Sequence, residues 1–165
     1  MLKINLKKIF LNFITILIIF LADRVSKLYI LKIAELENKV DIYITSYLNL
    51  YLIWNKGIAF GLLSFKEDFF YEVVTILIII VSLLVLWFAL RTKGIEKFGF
   101  LMILGGALGN LFDRMYYSSV IDFIDISYNN YHWFIFNVAD IFITLGVVML
   151  ISLELLKTKK KIFDI

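Results

Sequence analysis

Polar positions interrupt this 165-residue chain in blocks and leave four apolar runs between them. Residues 9–22 are apolar apart from Asn12 and Thr15. Continued as a helix to residue 30, the run spans roughly 30 Å at about 1.5 Å per residue, enough to cross a bilayer. A basic start before a short apolar run also describes a signal peptide, but Asp23, Arg24 and Lys27 follow where a small-x-small cleavage site belongs. The spacing predicts further spans over residues 69–90, 98–112 and 136–156, the third being short. Residues 41–53 follow a different period. Ile42, Ile44, Leu48, Leu50 and Leu52 alternate with Tyr43, Thr45, Tyr47, Asn49 and Tyr51, which predicts a strand. Its tyrosines suit a membrane surface. Asn55-Lys56-Gly57 signals a turn, and Ala59-Phe60-Gly61 resumes an extended piece, so the β region covers about residues 41–63. The expected fold is an all-α membrane protein of one domain, residues 1–165. It has four transmembrane helices and a small extracytoplasmic β-sheet.

Composition sharpens this picture. Hydrophobic residues make up 62% of the chain, well above the level of a soluble domain, and they come in blocks. With no cysteine, disulfides, thiol catalysis and cysteine-ligated metals are excluded. His132 is the one histidine, so there is no histidine-rich metal site, and beside Trp133 it reads as an interfacial bystander. The net charge of +3 does not indicate nucleic acid, because the basic residues gather at span ends. The first eight residues, the 91–97 connection and the C-terminus are basic, whereas the 113–135 connection is net acidic. The positive-inside rule then puts both termini in the cytoplasm and the two longer connections outside.

The chemistry concentrates between Gly105 and Asp140, in GGALGNLFDR, VIDFIDI and FNVAD. An acid at a helix centre in a membrane costs about 2.5–3.5 kcal/mol on the insertion scale, so a chain that keeps several together uses them. Asp125 fits a wet loop facing water. Asp140 does not, since no charge follows it until Glu154. Gly105 and Gly109 form a close-packing face that Asp113 continues, with Gly106, Asn110 and Arg114 beside it. Asn137, Asp140 and Thr144 share one helix face, and Asp23 and Lys27 stand at i and i+4, able to pair. Asp122 and Asp140 are the natural carboxylate pair: sharing one proton, one acts as base toward water and the other as acid toward a carbonyl oxygen. That chemistry needs no metal and no cofactor. Ser26 and Lys27 are adjacent and do not face each other, and Ser118 and Ser119 have no evident base. A proton-relaying transporter needs a polar path across the whole membrane. The other halves of the spans offer little beyond Asn12, Thr15, Ser82 and Glu154.

Five blocks in order carry a resemblance: Asp23-Arg24-Val25-Ser26-Lys27, Asn55-Lys56-Gly57-Ile58-Ala59-Phe60-Gly61, the run from Gly105 to Arg114, Val120-Ile121-Asp122-Phe123 and Phe136-Asn137-Val138-Ala139-Asp140. With them the chain resembles the bacterial lipoprotein signal peptidases, also called signal peptidase II, which are intramembrane aspartic proteases. The resemblance implies an enzyme of the bacterial cytoplasmic (inner) membrane, working among membrane lipids near the outer leaflet. It would remove the signal peptide of a prolipoprotein just before a diacylglyceryl-modified cysteine, and globomycin-type cyclic peptides would inhibit it. It also implies that Asp122 and Asp140 are the catalytic pair. Asn55, Gly57, Asn110, Asp113, Arg114 and Asn137 would orient that pair or hold substrate, and Asp23 and Lys27 would brace the first span. The amphipathic strand becomes a cradle that clamps the substrate.

Overall fold

In the computed structural model, residues 6–57, 68–128 and 131–163 are described. Four helices and four strands follow in the order α1 (Leu6–Glu37), β1 (Asp41–Thr45), β2 (Leu48–Asn55), α2 (Asp68–Arg91), α3 (Ile95–Tyr117), β3 (Val120–Tyr128), β4 (Tyr131–Phe136) and α4 (Val138–Phe163). All four helices are long and apolar enough to cross a membrane. The burial pattern has the sense a bilayer imposes. Large apolar side chains such as Ile76, Leu83, Leu90 and Leu155 face outward, while Asp23, Lys27, Asp113 and Asn137 are sealed inside. The chain is a multi-pass membrane protein with a small antiparallel sheet at one end of its helical bundle.

The third helix is the hub, packing against each of the other three. Its glycines set how closely the neighbours come. A Cβ at Gly105 would stand 2.9 Å from Ile19 of α1, and one at Gly106 would stand 2.4 Å from the Ala139 carbonyl oxygen of α4. Further along, Gly99 of α3 faces Gly146 of α4 across a similar contact. These are the small-residue faces that let helices approach in lipid, where van der Waals contact replaces a hydrophobic driving force.

At 32 residues, α1 is about 48 Å long, more than the roughly 30 Å of hydrocarbon it has to cross. The excess reaches the sheet. Ile30 and, beyond the helix, Val40 form a buried cluster with Ile121 and Phe123 of β3, and Leu31, Ile33, Ala34, Leu50 and Leu52 pack around it. This cluster fastens the sheet to the bundle.

The sheet has the order β1-β2-β3-β4, with every neighbouring pair antiparallel. It departs from the expectation in two ways. Residues 41–53, read as one strand, form a hairpin that turns at Ser46 and Tyr47. The two-residue turn sets Thr45 opposite Leu48, odd against even, and a register shift between Tyr43 and Thr45 then restores like parity, so that Tyr43 pairs with Asn49 and Ile42 with Leu50. The turn lacks glycine or asparagine. The Thr45 hydroxyl accepts instead from the Tyr47 and Leu48 N–H groups at 3.3 and 3.1 Å. The second departure is the 113–135 connection. Its first residues extend α3 to Tyr117, Ser118 closes that helix in the left-handed conformation, and the remainder supplies β3 and β4. The extended piece expected at Ala59-Phe60-Gly61 lies outside the described residues.

Candidate active site

Val120-Ile121-Asp122-Phe123 is the start of β3, and strand alternation separates its roles. Ile121 and Phe123 enter the core cluster, and Asp122 turns to the cavity between the helices. Asp122 is 2% exposed. Its Oδ2 accepts from the Asn55 amide at 2.8 Å and its Oδ1 from the Asn137 amide at 2.6 Å. Burial pushes its carboxyl up to about 7, and the charge of Asp140 adds to the rise. The two amide donors and the Lys27 ammonium pull the other way.

Asp140 reaches the same place from α4, whose start is a reciprocal cap. The Asn137 carbonyl accepts the first helical bond, from Ile141, and its side-chain oxygen accepts from the Asp140 N–H at 3.1 Å. The Asp140 carboxylate reaches back to the Asn137 N–H at 3.2 Å. The second residue of α4 is served from another helix, the Ala139 N–H donating to Asp23 of α1 at 3.0 Å. Asn137, Asp140 and Asp23 therefore satisfy backbone donors that a buried helix start would otherwise leave without partners, and both acids lie where the helix dipole favours negative charge. Asn137 also donates to Asp122, so one amide touches both members of the pair.

Behind the pair lies a buried group of four charges. Lys27 donates to Asp23 at 3.0 Å, to Asp113 at 2.7 Å and to the Asn110 side-chain oxygen at 3.0 Å, which occupies all three of its N–H groups. Arg24 bridges the same acids, 2.6 Å from Asp113 and 2.9 Å from Asp23. The formal charges cancel. One consequence reaches the site directly. With its oxygen held by Lys27, the Asn110 amide must present its NH2 to Asp140, and it donates there at 2.8 Å. Asp113 also accepts from the Ile121 N–H at 3.3 Å, tying the start of β3 to α3.

The pair opens on a cavity of about 310 Å³. Asn55, Asn110, Arg114, Asp122 and Asp140 form its polar end. Apolar side chains of α2 (Val74, Leu77, Ile78, Val81), α3 (Ile103, Ala107), β3 (Val120) and α4 (Ile143) form the rest, with Thr144 and Ser82. Arg114 donates through Nη2 to the Gly57 carbonyl, and the Gly57 N–H donates to the Asn55 side chain at 2.8 Å. No group of three or more histidine, cysteine or acidic side chains that could hold a metal ion occurs among the described residues.

Every residue singled out in the sequence is in this assembly. Asp122, Asp140, Asn55, Asn110 and Arg114 line the cavity, Asn137 and Gly57 hold their neighbours, and Asp23, Lys27 and Asp113 stand behind. Asp125, expected in a wet loop facing water, is instead buried within β3, opposite Asn49, because the acidic connection forms a strand of the sheet and not a loop. Two contributors carry no part in the sequence reading of the site. Arg24 is inside the first motif, yet nothing in spacing separates a buried arginine from a snorkelling one. Tyr71 sits in an apolar run, and only the fold brings it to Arg114.

Residues 15–156 match the family model described as Signal peptidase (SPase) II. A lipoprotein signal peptidase of Pelagibacter ubique (strain HTCC1062) is 53% identical over 159 residues, covering 96% of each chain. Its namesake in Anaplasma phagocytophilum (strain HZ) is 37% identical, over 92% of this chain and 96% of its own. A solved structure described as a bacterial membrane enzyme superposes with a TM-score of 0.73 at 28% identity, over 91% of this chain and 90% of that one.

Proposed function

This chain belongs to the signal peptidase II family and is a membrane protease, and from that premise we propose that it works as an aspartic endopeptidase through Asp122 and Asp140. The observation that carries the reading is the placement of these two acids at the polar end of an otherwise apolar cavity, joined by Asn137. On this reading the pair holds one proton. The ionised acid takes a proton from water as its oxygen attacks the scissile carbonyl carbon. The protonated acid gives its proton to the carbonyl oxygen, and a tetrahedral diol forms. Collapse of the diol breaks the C–N bond, and the amine leaves with a proton returned by the pair. Arg114 binds substrate backbone, Asn55, Asn110 and Asn137 orient the pair, and Asp23, Lys27 and Asp113 brace them.

The substrate is a prolipoprotein cut just before its diacylglyceryl-modified cysteine. The apolar stretch of the signal peptide runs along the α2, α3 and α4 walls of the cavity, and the lipidated cysteine stays at the membrane surface. The enzyme lies in the bacterial inner membrane with both termini cytoplasmic, the pair near the outer leaflet and the sheet beside it as a cradle. The whole chain serves as one protease domain. Globomycin-type cyclic peptides and pepstatin-type mimics, which place a hydroxyl where the attacking water stands, inhibit it.

Purified protein incubated with lipidated and unlipidated prolipoprotein tests this. Cleavage of the lipidated form alone, at the bond before the cysteine by mass spectrometry, is the expected result. Asp122→Asn and Asp140→Asn should each yield no product, because an amide has nearly the carboxylate's shape but cannot pass the proton. Turnover near the wild-type rate by either variant removes the pair from the mechanism.

A further inference from the structure

Arg114 is held on three sides, and one holder has no role so far. Its Nη2 donates to Gly57. Its guanidinium lies over the Tyr71 ring, 5.2 Å from the centroid, and the Tyr71 hydroxyl donates to the Arg114 backbone carbonyl at 3.0 Å. Nε and Nη1 have no hydrogen-bond partner among the described residues, although Arg114 is only 4% exposed and lines the cavity. Unsatisfied donors in a buried cationic group are costly, so a ligand that supplies oxygen acceptors there gains from meeting them. Arginine carries a long, rotamer-rich stem, and one held against an aromatic face reaches its ligand with less freedom left to lose. The α2 side chains that line the cavity are apolar apart from Ser82, whose hydroxyl returns to the Ile78 carbonyl of its own helix. Tyr71 thus joins the first turn of α2 to the substrate side of the cavity.

We propose that Tyr71 is a positioning residue for substrate binding, fixing Arg114 so that its two remaining donor nitrogens meet a backbone carbonyl of the bound signal peptide. This rests on the proposed role of Arg114 and not on the aspartate chemistry. The distinction sets the test. Binding is measured by fluorescence anisotropy in micelles, using a labelled, lipidated signal peptide whose scissile amide is replaced by a ketomethylene unit. That replacement keeps the carbonyl and cannot be hydrolysed. Tyr71→Leu should weaken binding about tenfold and Tyr71→Phe, which keeps the ring face, about two- to threefold. On the cleavable peptide, kcat should stay within about twofold while KM rises. In an Arg114→Gln background, Tyr71→Leu should add less than about twofold, since the two residues act as one unit.

Equal weakening by Tyr71→Leu in both backgrounds, or a fall in kcat with affinity unchanged, overturns the proposal. If Tyr71→Leu does not fold, the coupling of Tyr71→Phe to Arg114→Gln decides in its place. Retained cleavage by Asp122→Asn would remove the aspartate mechanism and leave this binding cycle standing.

Discussion

The Asn137 side chain engages both residues of the pair, donating to the Asp122 carboxylate while accepting from the Asp140 backbone N–H, so its amide cannot flip without losing both bonds. On the proposed mechanism, the balance between burial and donors around Asp122 sets a working pH. With its carboxyl raised to about 7, the protonated form dominates below that pH and is lost above it. The profile of kcat/KM should therefore fall on a basic limb near pH 7, a limb that belongs to the coupled pair. Removing a donor destabilises the ionised form, so Asn55→Leu should move the limb to higher pH. A limb that moves lower, or stays, means Asn55 does not bond the ionised acid. By linkage, a carboxyl whose folded value is raised contributes stability that is full below about pH 4 and is lost as pH rises through about 7. The fold should thus melt at lower temperature on the alkaline side of that window than on the acid side, as far as this group decides. Trp fluorescence melts in detergent across the window measure it.

Among the elements, the start of α4 is built against Gly106 so tightly that a methyl group has no room. A Cβ there would lie 2.4 Å from the Ala139 carbonyl oxygen, which is backbone and cannot turn aside. Gly106→Ala should push the first turn of α4 away from α3, break the Asn110–Asp140 bond and cut cleavage by more than about a hundredfold with a lowered melting temperature. At Gly105 the obstacle is chiefly the Ile19 side chain, so Gly105→Ala should cost less. Equal activity of the two variants would contradict this ranking. The four spans were legible in the sequence because hydropathy acts over whole helices. Their ends were not, since α3 runs on through Asp113 and Arg114 to Tyr117 once buried partners accept those charges. Strands β3 and β4 were hidden by the acids in VIDFIDI, although its alternation is that of β2. The turn at Ser46 was hidden because the register shift between Tyr43 and Thr45 restores the parity that a two-residue turn breaks, so the alternation reads on through it. The site residues were legible as motifs, and Asn137-Val138-Ala139-Asp140 has the spacing of a capping box. Which atom meets which donor depends on α1, a helix more than a hundred residues earlier in sequence.

For the whole molecule, the distribution of charge makes two expectations. Reporters fused after Lys39 and after Asn129 should report the outer side, and those after Lys93 and Lys161 the cytoplasmic side, from the basic bias of the inner connections. An outside signal at Lys93 would invert the protein and the site with it. Chelators should leave cleavage unchanged, because Asp113 is committed to Lys27 and Arg24, and an ion at the pair would displace the proton that the proposed mechanism needs. Loss in chelator restored by one divalent metal would make the acids ligands. The buried charges also bear on the protein's history. Asp23, Arg24 and Lys27 belong to α1, but Asp113 and Asn110, which complete their bonding, belong to α3. Asn110 is made 83 residues after Lys27. At roughly 5–20 residues per second, α1 waits roughly 4–17 s in or beside the bilayer with two cations sharing the single acid Asp23. A cell has to shelter a helix in that condition. The newborn first span is therefore expected to linger at the insertion machinery until the third emerges, and nascent chains halted before Asp113 should crosslink to an insertase where those halted after α4 are released.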